Sequence, residues 1–347
     1  MDADLIVSTT VRGNKIIAIY YSLKLYFRVR IFEIKEGTTS DIFNSGKTFD
    51  FGHDNQHFVL DHLDIPDSLQ EGKNKLWLRF GHGEYPYDLT TYSFMNWAGY
   101  INLDDMSLRN DSSFIKFPTD KNFPVRRYKT NIITNKFGSA LYVTGGEIYS
   151  KKVKDFTAIN SFYKYNFTSR EWADMTYTTV GKLKPLFDHN SVIIDNRYLV
   201  ILGGERQIYN STFNFNGRDR PEYEHNTLYN LTIFDTLTNK WDNVNVDANI
   251  FDASISKLKF ELFIATVYKD KIIVLGGTSR ETKSNRYNFN SHIGILDFKY
   301  KIWNWFPILN EDGSNYATVS NFGSIQVLND QLIICSSKLN FIINYFY

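Results

Sequence analysis

Short apolar runs separated by polar turns recur along the whole chain, a pattern that predicts β-hairpins. Three segments share one design: Ser139-Ala-Leu-Tyr-Val-Thr-Gly-Gly146, Arg197-Tyr-Leu-Val-Ile-Leu-Gly-Gly204 and Lys271-Ile-Ile-Val-Leu-Gly-Gly277. Each is an apolar run ending on paired glycines: Gly145 and Gly146, Gly203 and Gly204, Gly276 and Gly277. Before the second lies another apolar run, Ser191–Ile194, with the turn Asp195-Asn196; before the third, Leu262–Val267 with Lys269-Asp270. After each pair comes a polar stretch, an alternating strand, a turn and a tryptophan. The copies are Ser161–Tyr165 with Trp172, Thr227–Asp235 with Trp241, and His292–Asp297 with Trp303 and Trp305.

Weaker copies flank these: Lys75–Gly83 splits the glycine pair, while Asn14–Tyr20 and Gln331–Ser336 keep only the strand. The intact pairs end at 146, 204 and 277, intervals of 58 and 73 residues (204 − 146 and 277 − 204), so the chain holds about six units. Short strands repeating at this interval predict a propeller. A single sheet cannot bury both its faces, but radial stacking covers both, which accounts for runs that are continuously apolar. The glycine pairs mark places where the backbone turns or approaches a neighbour closely.

Apolar strand, Gly-Gly, Tyr-bearing strand and spaced Trp together resemble the kelch repeat of the galactose oxidase/kelch-type propellers. Pro124 with Arg126 and Arg127, and Pro185 with His189, are similar to the Pro-Arg…His opening of kelch units. The resemblance covers essentially the full length and implies an all-β, six-bladed propeller of antiparallel four-stranded blades, a single domain over 1–347. The first blade is expected to start with its innermost strand, Asp4 to Thr10, and the last to end at Phe341 to Tyr347 as its third strand. That leaves the last blade incomplete, held by blade-to-blade packing or completed by a natural chain running past Tyr347. Lys35–Gly52 and Gln207–Asn226 read as propeller loops.

Composition narrows the function. With 39 Lys+Arg against 38 Asp+Glu the net charge is +1, which argues against a dedicated binder of nucleic acid or membrane surfaces. The single cysteine, Cys335, excludes an internal disulfide. No apolar stretch approaches a membrane span and no leader opens the chain, so a cytoplasmic protein is expected. The sequons at Asn110, Asn166, Asn210 and Asn230 are no more than this Asn-, Ser- and Thr-rich chain yields by chance.

Candidate chemistry is sparse. His53, His57 and His62 lie close to Asp54, Asp61 and Asp64, but His57 and His62 fall on opposite faces of a strand, and a solvated cluster is expected instead of zinc. Gly81-His82-Gly83-Glu84 lacks the lysine and following helix of a phosphate loop. Cys335 lies in an apolar strand, where a buried thiol is the ordinary state, unlike the Cys–Tyr cross-link of galactose oxidase. The expectation is no catalytic set, no metal and no cofactor.

What remains is surface. The stretches after the glycine pairs carry Lys151, Lys152 and Lys154; Arg206, Arg218 and Arg220; and Arg280, Lys283 and Arg286, with Tyr149, Tyr209, Phe213, Phe215, Tyr223, Tyr287 and Phe289 among them. Arg and Tyr are enriched at interface hot spots, and Tyr149, Lys151, Arg206, Tyr209, Arg218, Arg220, Tyr223, Arg280, Arg286 and Tyr287 are the expected binding residues. Glu147, Asp155, Glu205, Asp219, Glu222, Glu224 and Glu281 share these stretches and hold their charge near +2 (nine basic, seven acidic). The reading is a non-enzymatic module that binds protein partners. The alternatives are a galactose-oxidase-like or carbohydrate-active propeller, or a segment of a larger kelch protein of the fungal type.

Overall fold

The apolar runs are β-strands, and they assemble into antiparallel sheets of one repeated design. The structure, a computed structural model, describes residues 5–22, 26–34, 45–52, 57–82, 95–150, 152, 155–215, 218–249, 261–280, 287–309, 313–314, 323–328, 330–336 and 340–344. They fall into two compact units, one of residues 1–117 with 322–347 and one of 118–321.

The first unit holds three of the repeated sheets. Leu5–Arg12, Lys15–Ser22, Tyr26–Glu33 and Lys47–Gly52 form the first, and His57–Leu63, Lys75–His82, Met95–Asn102 and Leu108–Asn110 the second. The sixth has three described strands, Gly323–Leu328, Gln331–Ser336 and Asn340–Asn344. The second unit holds the third sheet (Lys129–Asn135, Gly138–Thr144, Phe162–Asn166, Glu171–Asp174) and the fourth (Asn190–Ile194, Tyr198–Leu202, Asn230–Asp235, Lys240–Asn245). It also holds the fifth, Glu261–Tyr268, Lys271–Arg280, His292–Asp297 and Ile302–Pro307, with a further parallel edge strand, Asp247–Asn249. Apart from that extra edge strand, the strands named for each sheet lie side by side in chain order, as a propeller blade requires.

Alternate residues of one strand serve two neighbours. In Tyr198–Leu202, Leu199 and Ile201 pack with Ile133, Ala140, Tyr142 and Phe162 of the third sheet. Val200 and Leu202 of the same strand pack with Phe263, Ile272, Val274 and Leu296 of the fifth. The first sheet repeats this, with Ile17 and Ile19 facing Leu76, Leu78 and Phe80 of the second, and Ile16, Ala18 and Tyr20 facing Ile333 and Cys335 of the sixth. Both faces are therefore apolar, which is why these strands show no polar alternation.

Turn chemistry recurs with equal regularity. The third strands of the third to fifth sheets end on Asn166, Asp235 and Asp297, whose side-chain Oδ1 accepts the amide of Thr168, Leu237 and Lys299 at 2.8, 3.0 and 3.0 Å. A left-handed residue closes each turn, Arg170, Asn239 or Lys301 (φ 58, 54 and 61), and the tryptophan follows two residues later. Trp241 donates its indole N–H to Thr178 Oγ1 of the preceding repeat at 3.0 Å, and Trp303 donates to the Leu228 carbonyl at 2.9 Å.

The first strands are stitched by polar groups. Asn131 donates to the Ser191 carbonyl at 3.2 Å, and Asn190 donates to the carbonyl of Phe263. In the first unit Thr9 and Ser324 share a hydrogen bond of 2.7 Å and Gln326 donates to Thr9 O at 2.8 Å, so the first and last sheets adjoin.

Three expectations need correction. Lys35–Gly52 is not loop throughout: Lys47–Gly52 is the fourth strand of the first sheet, paired with Tyr26–Glu33. Gln207–Asn226 is no loop: it belongs to a β-hairpin, Glu205–Phe215 paired with Arg218–His225. His62 is not solvated but 6% exposed. A register shift between Val59 and Asp61 breaks the regular alternation, and His62 ends up 4.0 Å from Asp64, which Arg12 also holds at 2.9 Å. His53 and Asp54 lie outside the described residues, and among the described residues no three His, Cys, Asp or Glu side chains gather as metal ligands.

Candidate functional site

The glycine pairs share one backbone conformation, with φ of 60 and 98 at Gly145 and Gly146, 57 and 83 at Gly203 and Gly204, and 70 and 98 at Gly276 and Gly277. They also sit against neighbours: a Cβ on Gly146 would lie 2.8 Å from Cβ of Pro124 and Tyr128, and one on Gly204 2.7 Å from Cβ of His189. Only glycine meets both demands. The pair directs the chain out of its sheet, and the amides of Ile159, Asn226 and Asn290 close the excursion on the carbonyls of Gly146, Gly204 and Gly277. In between, the chain forms hairpins: Glu147–Ser150 with Asp155–Ala158, Glu205–Phe215 with Arg218–His225, and Thr278–Arg280 with Tyr287–Phe289.

The first two hairpins meet at a cluster of guanidinium groups, a buried carboxylate and aromatic rings. Glu147, the residue after the first glycine pair, is 2% exposed. Its Oε2 lies 2.8 Å from Nε of Arg126 and 3.7 Å from Nε of Arg127, whose Nη1 reaches Asp188 at 3.4 Å. Burial pushes the Glu147 carboxyl above its ordinary value, and the two guanidinium groups oppose that rise. Arg126 lies over the Phe156 ring at 3.4 Å and Arg127 over Phe187 at 5.0 Å. Tyr223, from the second hairpin, donates to the Phe156 carbonyl of the first at 3.2 Å, and its ring meets Phe187 edge-on at 4.9 Å. Burial, with the carboxylates of Glu147, Asp155 and Glu205, keeps that phenol protonated.

Arg127 and Asp188 have φ of 54 and 50, and Leu262 of the fifth sheet has 56. Each directly precedes a buried residue, Tyr128, His189 or Phe263. The same left-handed position therefore recurs in three consecutive repeats, and two of its occupants form the ion pair.

Of the expected binding residues, the structure brings Tyr149, Arg206 and Tyr223 to this cluster or beside it. Tyr149 stands opposite Phe156 in the first hairpin, rings 5.6 Å apart, and Arg206 pairs with Leu186 in the sheet and with Glu224 at 2.5 Å. Arg218, Arg220 and Arg280 occupy strand positions opposite Phe215, Phe213 and Tyr287, and Tyr209 lies within the long strand of the second hairpin. Lys151 and Arg286 lie outside the described residues. Arg126, Arg127, Glu147, Asp188, Phe156 and Phe187 were missing from the expected set. Alignment of Pro124–Tyr128 with Pro185–His189 points to four of them, since Arg126 and Phe187, and Arg127 and Asp188, fall on equivalent positions.

Beside the cluster a cleft of about 290 Å3 separates the segment 182–186 from the fourth sheet, with Lys182, Lys184, Arg206, His225, Asn230 and Asn243 on its walls. Cys335 lies far along the chain in an apolar cluster of Ile6, Ile16, Ala18 and Ile333, where burial pushes its thiol up to about 12 and so keeps the sulfur protonated. No helix among the described residues is long and apolar enough to cross a membrane.

Comparison with known proteins agrees with this architecture. The KLHDC2/KLHL20/DRC7 Kelch-repeats domain family matches residues 98–336. No curated protein matches the chain in sequence. Among solved structures, that of YjhT superposes with a TM-score of 0.56 at 10% identity, over 96% of this chain and 89% of that one. The GH93 alpha-L-arabinofuranosidase of Fusarium graminearum in complex with arabinobiose gives 0.54 at 10% identity, over 98% and 91%. At such identities the likeness is one of fold.

Proposed function

Since the chain belongs to the KLHDC2/KLHL20/DRC7 Kelch-repeats domain family, we propose that it is a non-enzymatic protein-binding module whose contact face is made by the hairpins that follow its glycine pairs. One observation carries this reading: the guanidinium, carboxylate and aromatic cluster that fastens the first two hairpins to each other. A surface already held in place loses little conformational freedom on binding, so Arg and Tyr side chains displayed on it are suited to hot-spot contacts.

A carbohydrate-active site would need two carboxyl groups facing a substrate cleft, one as acid and one as base or nucleophile. Here the neighbouring side chains of Glu147 and Asp188 lie 3.7 and 3.4 Å from one guanidinium, that of Arg127, placed between them. That arrangement favours a structural clamp over acid–base work.

The test is quantitative affinity capture with the wild-type chain, with R206A/Y209A/R218A/R220A and with the distant surface variant K136A. A specific partner should be retained by the wild type and by K136A, and reduced at least about tenfold by the quadruple variant. Retention of no specific protein, or equal retention by all three chains, overturns the proposal. Arg126→Ala provides a check on the clamp: it leaves the Glu147 carboxylate with the more distant Arg127 alone, and should cost on the order of 3 kcal/mol in urea denaturation. Glu147→Gln, which keeps a hydrogen-bond acceptor and removes the buried charge, should cost less.

A further inference from the structure

The segment joining the third sheet to the fourth is anchored along its length yet presents several side chains outward. In the 3-10 turn Thr176–Thr179, Trp241 donates to Thr178 Oγ1 at 3.0 Å and Asn160 to Thr179 Oγ1 at 2.9 Å, while Thr179 is fully buried. Farther on, Asn243 donates to the Lys182 carbonyl at 3.2 Å and Asn160 to that of Leu183 at 3.4 Å. Anchored at these points, the segment cannot fold its apolar side chains inward: Tyr177 and Val180 remain 76% and 77% exposed.

Lys182 and Lys184 follow directly, both exposed and, among the described residues, in no ion pair. They stand on one wall of the cleft described above, and Arg206, Asn230, Thr232 and Asn243 stand on the other. Among the described residues no carboxylate lines this cleft. Arg206 is already paired with Glu224 through Nη2 at 2.5 Å, so its charge is met within the second hairpin. The rest of the lining mixes amides and hydroxyls, Thr232 donating to Asn243 Oδ1 at 2.9 Å, with His225 and the apolar Leu183, Leu186 and Ile201. On a chain of net charge +1, this places two unpaired lysines a few residues from an exposed aromatic ring and an exposed valine.

We propose that this cleft and its lip dock an acidic segment of a partner protein. Carboxylates of the segment lie against Lys182 and Lys184, and an apolar side chain rests on Tyr177 and Val180. Charge complementarity selects the occupant: two unpaired lysines favour an anion, and the neighbouring exposed apolar pair favours a peptide over a bare ion. The inference rests on the protein-binding reading but assigns its acidic-segment contact to a surface other than the hairpin tips.

Fluorescence anisotropy with a labelled short peptide of glutamate and aspartate around one leucine tests it, with trisodium citrate as competitor at matched ionic strength. The peptide should bind saturably, K182E/K184E should weaken it at least about tenfold, and K136E should leave it unchanged. Replacing the central leucine by glycine should weaken binding, and Y177A should abolish that difference. No saturable binding, equal weakening by K136E, or citrate competing as well as unlabelled peptide would each overturn the proposal, the last showing a small-anion site. Affinity capture separates the two readings: if a partner is lost with R206A/Y209A/R218A/R220A yet kept with K182E/K184E, the hairpin reading stands and this one fails.

Discussion

At the scale of single residues, several positions are fixed by demands that one side chain meets and others do not. Gly146 and Gly204 combine a left-handed backbone with no room for a methyl group. His189 is a subtler case. It is completely buried, shares a 2.9 Å hydrogen bond with Thr144 Oγ1, and burial pushes its imidazole down to about 3. In the folded chain it is neutral across the physiological range, whereas in the unfolded chain it takes up a proton near its ordinary value of 6.5. Its contribution to stability is therefore present above pH 6.5 and is lost as pH falls toward 3, at up to about 1.4 kcal/mol per pH unit. The fifth sheet carries Phe263 at the equivalent position. His189→Phe should therefore lose about 1 kcal/mol at pH 7.5 through the stranded Thr144 hydroxyl, yet show a shallower decline of melting temperature between pH 7 and pH 5. Parallel declines in the two proteins would show that His189 does not set the acid sensitivity.

At the scale of elements, the repeat is held by the tryptophan that follows each capped turn. The Asx residue and the tryptophan are six positions apart in all three copies, 166 to 172, 235 to 241 and 297 to 303. Asp235 is also held well below the usual carboxylate range by its two hydrogen bonds from Arg197, at 2.8 and 2.7 Å, so the turn is fastened to the start of the second strand. Trp303 is fully buried and its indole N–H reaches across to the Leu228 carbonyl of the preceding repeat. Trp303→Phe should cost about 1–3 kcal/mol by leaving that carbonyl unpaired, and Trp303→Ala about 3–5 kcal/mol by adding a cavity. Urea denaturation monitored by circular dichroism reads both, with exposed Tyr300→Ala as a control within about 0.5 kcal/mol of wild type. Equal stability of Trp303→Phe and wild type would mean that the cross-repeat hydrogen bond contributes nothing. Edge protection belongs to this scale too: Arg218–His225 is an edge strand carrying Pro221 and charges at Arg218, Asp219, Arg220, Glu222 and Glu224, which disfavours pairing with another chain.

At the scale of the whole molecule, the adjoining of the first and last sheets is the feature that local sequence says least about. Cys335 sits in the apolar cluster they share and is 1% exposed, so its thiol reports on that contact. A thiol reagent at pH 8 should modify it only after unfolding, both because the sulfur is covered and because its thiolate is scarce. Deleting residues 340–347 removes the strand paired with Gln331–Cys335, and the modification rate should then rise at least about a hundredfold, since the sheet loses an edge that covers it. Fast modification of the intact chain would mean that the first and last sheets separate readily. Unchanged protection after the deletion would show that their side-chain packing suffices without the third strand.

The chain's own order of residues determined the strands, the glycine turns, the repeat and with it the propeller class, because these rest on contacts within a few tens of residues and recur several times. Continuously apolar strands could be recognised as doubly covered before any neighbour was known. The polar stretches after the glycine pairs could not be recognised as hairpins, since their strands are short or rich in polar residues and lack the sustained apolar alternation that marks a half-buried strand. His62 was misplaced for a related reason: one extra residue at 60 moves a side chain from one face to the other, and nothing in the local pattern records it. Only the folded chain decided that Glu147 meets Arg126 and Arg127, that Tyr223 caps Phe156, and that Lys182, Lys184 and Arg206 face one cleft. The two arginines reach Glu147 from the opening of its own repeat and Tyr223 comes from the next, so which side chains converge there depends on how strands distant in the chain pack.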